Sequence, residues 1–324
     1  MGHLSVVHCL PVMLVSPEPA AKRSRHIAVM PREVIDALCL APGLTVMDGT
    51  VGAGGHARLI LDRILPDGRL FGFDRDPMML RFAKLRLNHP QVELIHGSYS
   101  EARERLDDHQ VSEVDRVLLD LGLSSDQLAD RERGFGFDSG GPLDMRFDSE
   151  TGCSVAAFLQ DSSADEIADV IREYGEDRHA VKIANEIVAR QRSSSPLETV
   201  DDLLSCISRA SGRRNAGQPD RGTASRVFQA FRIAVNDELG HVRRMMTETL
   251  PQVVCRNGIA VVITFHSLED RIVKHAFRDD PRWKPLTKSP IEASPAEVRL
   301  NPRARSARLR SAQRIESPGT DSKE

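Results

Sequence analysis

Aromatic side chains are scarce in this 324-residue chain: they make up 4% of it, with one Trp and two Tyr. A protein that stacks nucleobases on broad aromatic platforms carries more of them, so that class is not indicated. Strong net charge is also missing. The 44 Lys and Arg against 47 Asp and Glu leave −3 at neutral pH, so overall charge gives no support to polyanion binding. The five cysteines (Cys9, Cys39, Cys153, Cys206, Cys255) are scattered, odd in number and never paired as C-x-x-C. Neither a zinc site nor a disulfide framework is written in such spacing. Cys39 and Cys255 lie in apolar stretches and read as buried thiols of a reducing cytoplasm. No apolar run reaches the ~20 residues that span a bilayer. The run at 4–15 carries His8 and Pro11, and its cations Lys22, Arg23 and Arg25 follow it, where a signal peptide has them in front. Residues 1–25 therefore read as a poorly ordered leader.

What is present begins with alternation. Apolar runs at 44–48, 68–74, 91–97 and 114–122 read as strands. Between them, 56–64, 77–88 and the stretch from Glu101 have helical spacing. This rhythm predicts an α/β fold with a parallel sheet covered by helices on both faces. Such sheets bind ligands at the carboxyl ends of their strands, where Asp48, Asp74 and Asp120 stand. The rhythm breaks over 124–160, and 163–248 is helical without a convincing strand. A strand returns at 258–266 and a helix begins at Ser267. The expected division is a discontinuous α/β domain, 26–125 and 249–324, interrupted by a helical insertion, 126–248.

The stretch "DGTVGAGGHARLIL" from Asp48 to Leu61 joins the first strand to its helix. Glycines there let backbone N–H groups approach a ligand. A triphosphate loop needs a Lys after the glycines, and none follows. A dinucleotide fingerprint fits Gly52, Gly54 and Ala57, with Asp74 placed for a ribose. An S-adenosylmethionine site is favoured by Asp48, because an acid ahead of the glycines repels pyrophosphate and suits a sulfonium and an ammonium. Asp74 then has two oxygens for two ribose hydroxyls. Each Asp also has the simpler reading of a helix cap, so a nicotinamide enzyme and a binding module stay open on these residues alone.

Longer motifs follow in order: "HIAVMPREVIDAL" (26–38), "GFDRDP" (72–77), "LLDLGLSSDQL" (118–128), "GGPLDMRFD" (140–148), "YGEDRHAVKIANEIV" (174–188), "FQAFRIAVNDEL" (228–239), "FHSLEDRIVK" (265–274) and "NPRARSARLR" (301–310). Over about 26–314 the chain resembles the bacterial small-subunit (16S) rRNA cytosine-N4 methyltransferase family, the RsmH/MraW type. The resemblance implies a Rossmann-like class I S-adenosylmethionine-dependent methyltransferase domain with an inserted all-α, RNA-recognising domain. It implies methylation of the exocyclic N4 of a cytidine in the decoding region of small-subunit ribosomal RNA, in the cytoplasm, with that RNA or subunit as partner. Matched motif by motif, the cofactor contacts fall on Gly54, Gly55, His56, Asp74, Tyr99, Asp120 and Gln127. No ligand cluster calls for a metal. A non-catalytic RNA-binding or ribosome-assembly factor of the same fold is the alternative.

Two departures from the family pattern lie in the insertion. Gly140 stands where relatives have Asp, and 222–226 reads Gly-Thr-Ala-Ser-Arg where they have His-Pro-Ala-Thr-Arg. For catalysis, Asp120 is the candidate acceptor at N4–H, and His266 a second candidate in the same crevice. Arg146, Arg232 and the segment Arg303–Arg310 are candidate phosphate contacts. The six arginines of 299–314, with no acid among them, read as a solvated tail or a phosphate-contacting arm.

Overall fold

The structure is a computed structural model that describes residues 27–137, 140–193, 195–211 and 220–315; the leader expected at 1–25 lies outside them. The chain opens with α1 (Pro31–Leu38), then runs β1 (Thr45–Asp48), α2 (Gly55–Ile64), β2 (Arg69–Asp74), α3 (Pro77–Arg86), β3 (Val92–His96), α4 (Ala102–Asp108), β4 (Val114–Asp120) and α5 (Ser125–Ala129). Helices α6 (Val155–Asp161), α7 (Ala164–Gly175), α8 (Ala180–Arg192), α9 (Val200–Ala210) and α10 (Arg221–Asn236) follow without a strand. The chain returns through α11 (Glu238–Arg244), a π turn and α12 (Leu250–Val253) to β5 (Val254–Thr264) and α13 (Ser267–Asp279). It ends in β6 (Trp283–Pro285), β7 (Ile291–Glu292), α14 (Pro295–Leu300) and β8 (Arg308–Arg314).

One sheet has the order β3-β2-β1-β4-β5-β8-β6, with β7 also on β8. The five strands β1 to β5 are parallel, and β8 is antiparallel to β5. Strand succession reverses between β1 and β4, which creates the crevice where doubly wound sheets bind ligands. Alternate residues of each strand serve opposite faces. Met47, Phe71, Val117 and Val262 pack toward α4, α11 and α13. Val46, Leu70, Leu118 and Val261 pack toward α1 and α2.

The helices gather around a third core, from Phe135 through Ile167, Ile183 and Leu203 to Phe231. The helical spacing of 228–248 continues across Asn236, but the chain breaks at Asp237, whose φ is +48°. Beyond it Val242, Met245 and Leu250 join the sheet core. Packing therefore changes hands at Asp237, about a helix before the expected 248. Where relatives have His-Pro, the Asp220 side chain accepts from Thr223 N (3.0 Å) at the start of α10, and Arg226 grips Asp177 through Nε (2.9 Å) and Nη2 (2.7 Å).

The arginine run of 299–314 is neither a tail nor a free arm. Residues 308–314 form an interior strand with Leu309 and Ala312 fully buried. Arg310, itself buried, donates to both oxygens of Asp270 at 2.7 and 3.1 Å. Cys39, expected inside, is exposed at the end of α1, and Cys255 is half-buried. Among the described residues no helix is long and apolar enough to cross a membrane.

Candidate active site

The carboxyl ends of β1, β2, β4 and β5 open into one cleft with about 960 Å³ of empty space, its open mouth included. At the end of β1 the backbone presses on its neighbour. A Cβ on Gly49 would fall 2.4 Å from Leu119 Cδ2 and 2.9 Å from Tyr99 Cβ, so no side chain fits there. Asp48 is buried beneath the loop, with Oδ1 accepting from Thr50 N at 3.1 Å. It does not line the cleft; Gly49, Thr50 and Gly52 do. Of the expected glycines, Gly55 lines the cleft, whereas Gly54 faces Leu87 at the start of α2.

Asp74 ends β2. Its Oδ2 accepts from Gly52 N (2.9 Å) and its Oδ1 from Asp76 N (2.8 Å). These amides fix the carboxylate and leave each oxygen a second lone pair. The next acid, Asp76, caps α3 through Met78 N (2.9 Å) and holds Gln127 Nε2 (2.9 Å) and Arg133 Nη1 (3.0 Å). Gln127 lines the cleft, but its amide is engaged at both ends: Oε1 accepts from Ser124 N at 2.8 Å. Tyr99 lines the cleft beside His241, ring edge to face, with centroids 6.5 Å apart. Burial, reinforced by Glu238 and Glu269, pushes its hydroxyl above the ordinary range.

Asp120 ends β4. Among the described residues its Oδ1 has no hydrogen-bond partner, and its Oδ2 lies 3.5 Å from His56 Nδ1. His56 Nε2 is 2.8 Å from Val29 O. A carbonyl only accepts, so in the neutral ring Nε2 carries the proton and Nδ1 is bare toward Asp120. Burial lowers the His56 pKa despite the opposing pull of Asp48 and the Val29 carbonyl.

At the end of β5 the expected residue is not the one that arrives. His266 does not line this cleft. It caps α13, with Nδ1 accepting from Glu269 N at 3.4 Å and Nε2 at 3.1 Å from Glu269 Oε1 without hydrogen-bond alignment. Phe265 and Glu269 face the cleft instead. Glu269 is buried, and its Oε2 accepts from Phe265 N at 2.9 Å. A second acid missed from sequence, Glu238, also lines the cleft and is held by Arg232 Nε and Nη2 at 2.7 and 3.0 Å. Arg232 is therefore spoken for, not a phosphate contact. Arg146 likewise grips Asp144, at 2.7 and 2.9 Å, away from the cleft. Of the 303–310 segment, Arg303 turns into the cleft and Arg310 into the core, while Arg305 and Arg308 border a separate notch beside His266.

Burial pushes the carboxyls of Asp48, Asp74 and Asp120 up to about 7 each. Burial outweighs what opposes it: His56 for Asp48, the Asp76 and Gly52 amides and then His96 for Asp74, and Arg303 for Asp120. Strand-end carboxylates left without a paired arginine favour a cation and oppose phosphate. Residues 23–315 match the family model of the MraW methylase family. The chain belongs to that family. It is similar to the ribosomal RNA small subunit methyltransferase H of Rhodopirellula baltica, 42% identical over 307 residues that cover 92% of this chain and 94% of the relative. The proteins of the same name from Sorangium cellulosum and Trichlorobacter lovleyi are 41% and 43% identical, covering 96% and 90% of this chain and 98% of each relative. In this MraW methylase the acids stand on the β1, β2 and β4 ends, and the cleft continues past them to Phe265, Glu269 and Arg303.

Proposed function

We propose that this MraW methylase transfers a methyl group from S-adenosyl-L-methionine to the exocyclic N4 of a cytidine in the decoding region of small-subunit ribosomal RNA. The observation that carries the reading is the set of carboxylates at the parallel strand ends, Asp48 buried and Asp74 and Asp120 half-buried, that have no arginine in ion-pair contact among the described residues. They suit a ligand that carries a sulfonium and an ammonium and no phosphate. Bound there, the cofactor supplies an electrophilic methyl on a cationic sulfur. Asp74, fixed by Gly52 and Asp76 amides, accepts the two ribose hydroxyls. Tyr99 and Met79 line the adenine side and Gly49 keeps the floor flat.

The nucleophile is a conjugated amine, whose lone pair is delocalised into the cytosine ring. Holding N4 in line with the methyl and the sulfur, about 3 Å from the methyl carbon, removes much of the barrier. Asp120 accepts from N4–H, localises the lone pair and stabilises the charge that develops on nitrogen. Asp120 would take up the N4 proton that methylation releases. The bare Nδ1 of His56 lies next in line. The target base leaves its stack to enter, and helices α6 to α10 form the RNA-facing wall in the cytoplasmic small-subunit particle.

Tritiated-methyl transfer to small subunits from a strain lacking the enzyme, followed by nucleoside mass spectrometry, tests this. Label in N4-methylcytidine is expected. Binding to the subunit without transfer would instead mark a non-catalytic assembly factor.

A further inference from the structure

At the substrate end of the cleft two opposite groups are left unfinished. Asp120 Oδ1 is buried without a partner among the described residues. Arg303, on the 3-10 turn that leads into β8, lines the same cleft. Its hydrogen bond goes to a neutral hydroxyl, Ser125 Oγ, at 2.9 Å. Arg303 and Asp120 feel each other's charge, yet they form no ion pair within 4.0 Å. Arg133, Arg146, Arg190 and Arg232, also half-buried, each hold a carboxylate, whereas Arg75 on the same cleft, Arg116 and Arg314 are, like Arg303, held by neutral oxygens. Keeping a guanidinium and a carboxylate in one cleft but apart costs solvation on both sides. A ligand edge that carries a donor beside acceptors repairs both at once.

The Watson–Crick edge of cytosine is such an edge. N4–H₂ donates, and N3 and O2 accept. Uracil inverts the first two positions, putting O4 against the carboxylate and N3–H against the guanidinium. Adenine keeps the amine and the ring acceptor but lacks O2. Resting on the methyltransferase reading above, we infer that Arg303 is a specificity-determining residue that donates to cytosine N3 and O2 while Asp120 receives N4–H. Its planar fork meets two acceptors in one plane, a geometry that Lys does not reproduce. Phe265, which lines the same cleft, offers an aromatic ring for the base. Arg303 thus reads a base and not a phosphate, and it holds N4 at the angle that transfer requires.

The test uses the full chain saturated with S-adenosylhomocysteine, with cytidine, 3-deazacytidine and uridine as probes in saturation-transfer NMR. Wild type binds cytidine at least about tenfold more tightly than 3-deazacytidine, which replaces N3 by C–H, or uridine, the discrimination expected of one charged hydrogen bond. In Arg303→Met that preference collapses, while S-adenosylhomocysteine affinity stays at wild type and shows that the fold is intact. Arg303→Lys restores part of the preference at most. Equal binding of cytidine and 3-deazacytidine by wild type, or a surviving preference in Arg303→Met, overturns the assignment. Transfer to small subunits by wild type is measured alongside. Its absence sinks the methyltransferase reading itself, whereas transfer with an indifferent Arg303 sinks only this inference.

Discussion

Buried acids fall into two populations in this molecule, and they differ in company. Asp270 lies between Arg310 and Arg308, and Asp177 is gripped by Arg226. Burial pushes Asp270 upward, but the hydrogen bonds and charges of the two arginines outweigh it and hold the carboxyl below its usual range. Asp48, Asp74 and Asp120 sit at strand ends with no arginine in ion-pair contact among the described residues, and burial raises all three. The first population joins elements of the fold: β8 to α13, and α10 to the turn before α8. The second is kept uncompensated at a cost in stability, the mark of a site built for something that arrives from outside.

The comparison breaks most visibly at Asp74. Asp74→Ala is expected to weaken S-adenosylmethionine binding by about 100-fold or more, because two hydroxyls and a cationic ligand lose one charged acceptor; near wild-type affinity by calorimetry would refute the ribose role. Asp270→Ala should do the opposite. It strands Arg310 in the core and costs about 3–5 kcal/mol of stability, read as a lower denaturant midpoint, with cofactor affinity of the folded fraction unchanged. A combined Asp270→Ala, Arg310→Met protein should recover much of that loss.

The two populations also separate by pH. A carboxyl raised to about 7 holds its proton in the free protein below that pH, and a cationic cofactor must expel it. Affinity is therefore expected to fall below pH 7, by about tenfold per unit for each coupled proton, with a buffer-dependent enthalpy that reports proton release. The same groups make the free protein less stable as pH rises from their ordinary value of 3.8 toward 7, since the folded state binds more protons than the unfolded chain in that window. Cofactor saturation should remove that decline in Tm. The smallest effect concerns Arg305, exposed on the notch. Arg305→Ala is expected to lower the salt slope of RNA binding by about one counterion while leaving cofactor affinity alone.

The parallel half of the sheet was legible because each strand is a short apolar run closed by an Asp and followed by helical spacing. The helical core was legible for the same periodic reason. The antiparallel edge was not. β6 and β7 have only 3 and 2 residues, too short for a period. In β8, arginines at 308, 310 and 314 hide the alternation with Leu309 and buried Ser311. Arg310 is neutralised by a residue 40 positions away, a distance that no local pattern reports. The same holds at the site. Asp74 and Asp120 announce themselves at strand ends, whereas Glu238 and Glu269 reach the cleft from the first turns of helices. His266 drew notice for its place after a strand, but a His there is also a helix cap, and the cap prevails. Gly140, which replaces an Asp of the family pattern, has φ +57° and faces Asp201 at 3.4 Å from where a Cβ would stand. A carboxylate there would combine backbone strain with like-charge repulsion.

The position of β8 bears on how the molecule is made. Its partners β5, β6 and β7 all precede it in the chain, and β6 and β7 reach the sheet only through it. As the polypeptide emerges during synthesis, β5 has an open flank with Ala260 and Val262 unsealed until residues 308–314 arrive. The helical core and the parallel strands can consolidate earlier. Chain order places sheet closure late, and with it the turn that sets Arg303 against Ser125, so the Arg303 side of the cleft is finished last.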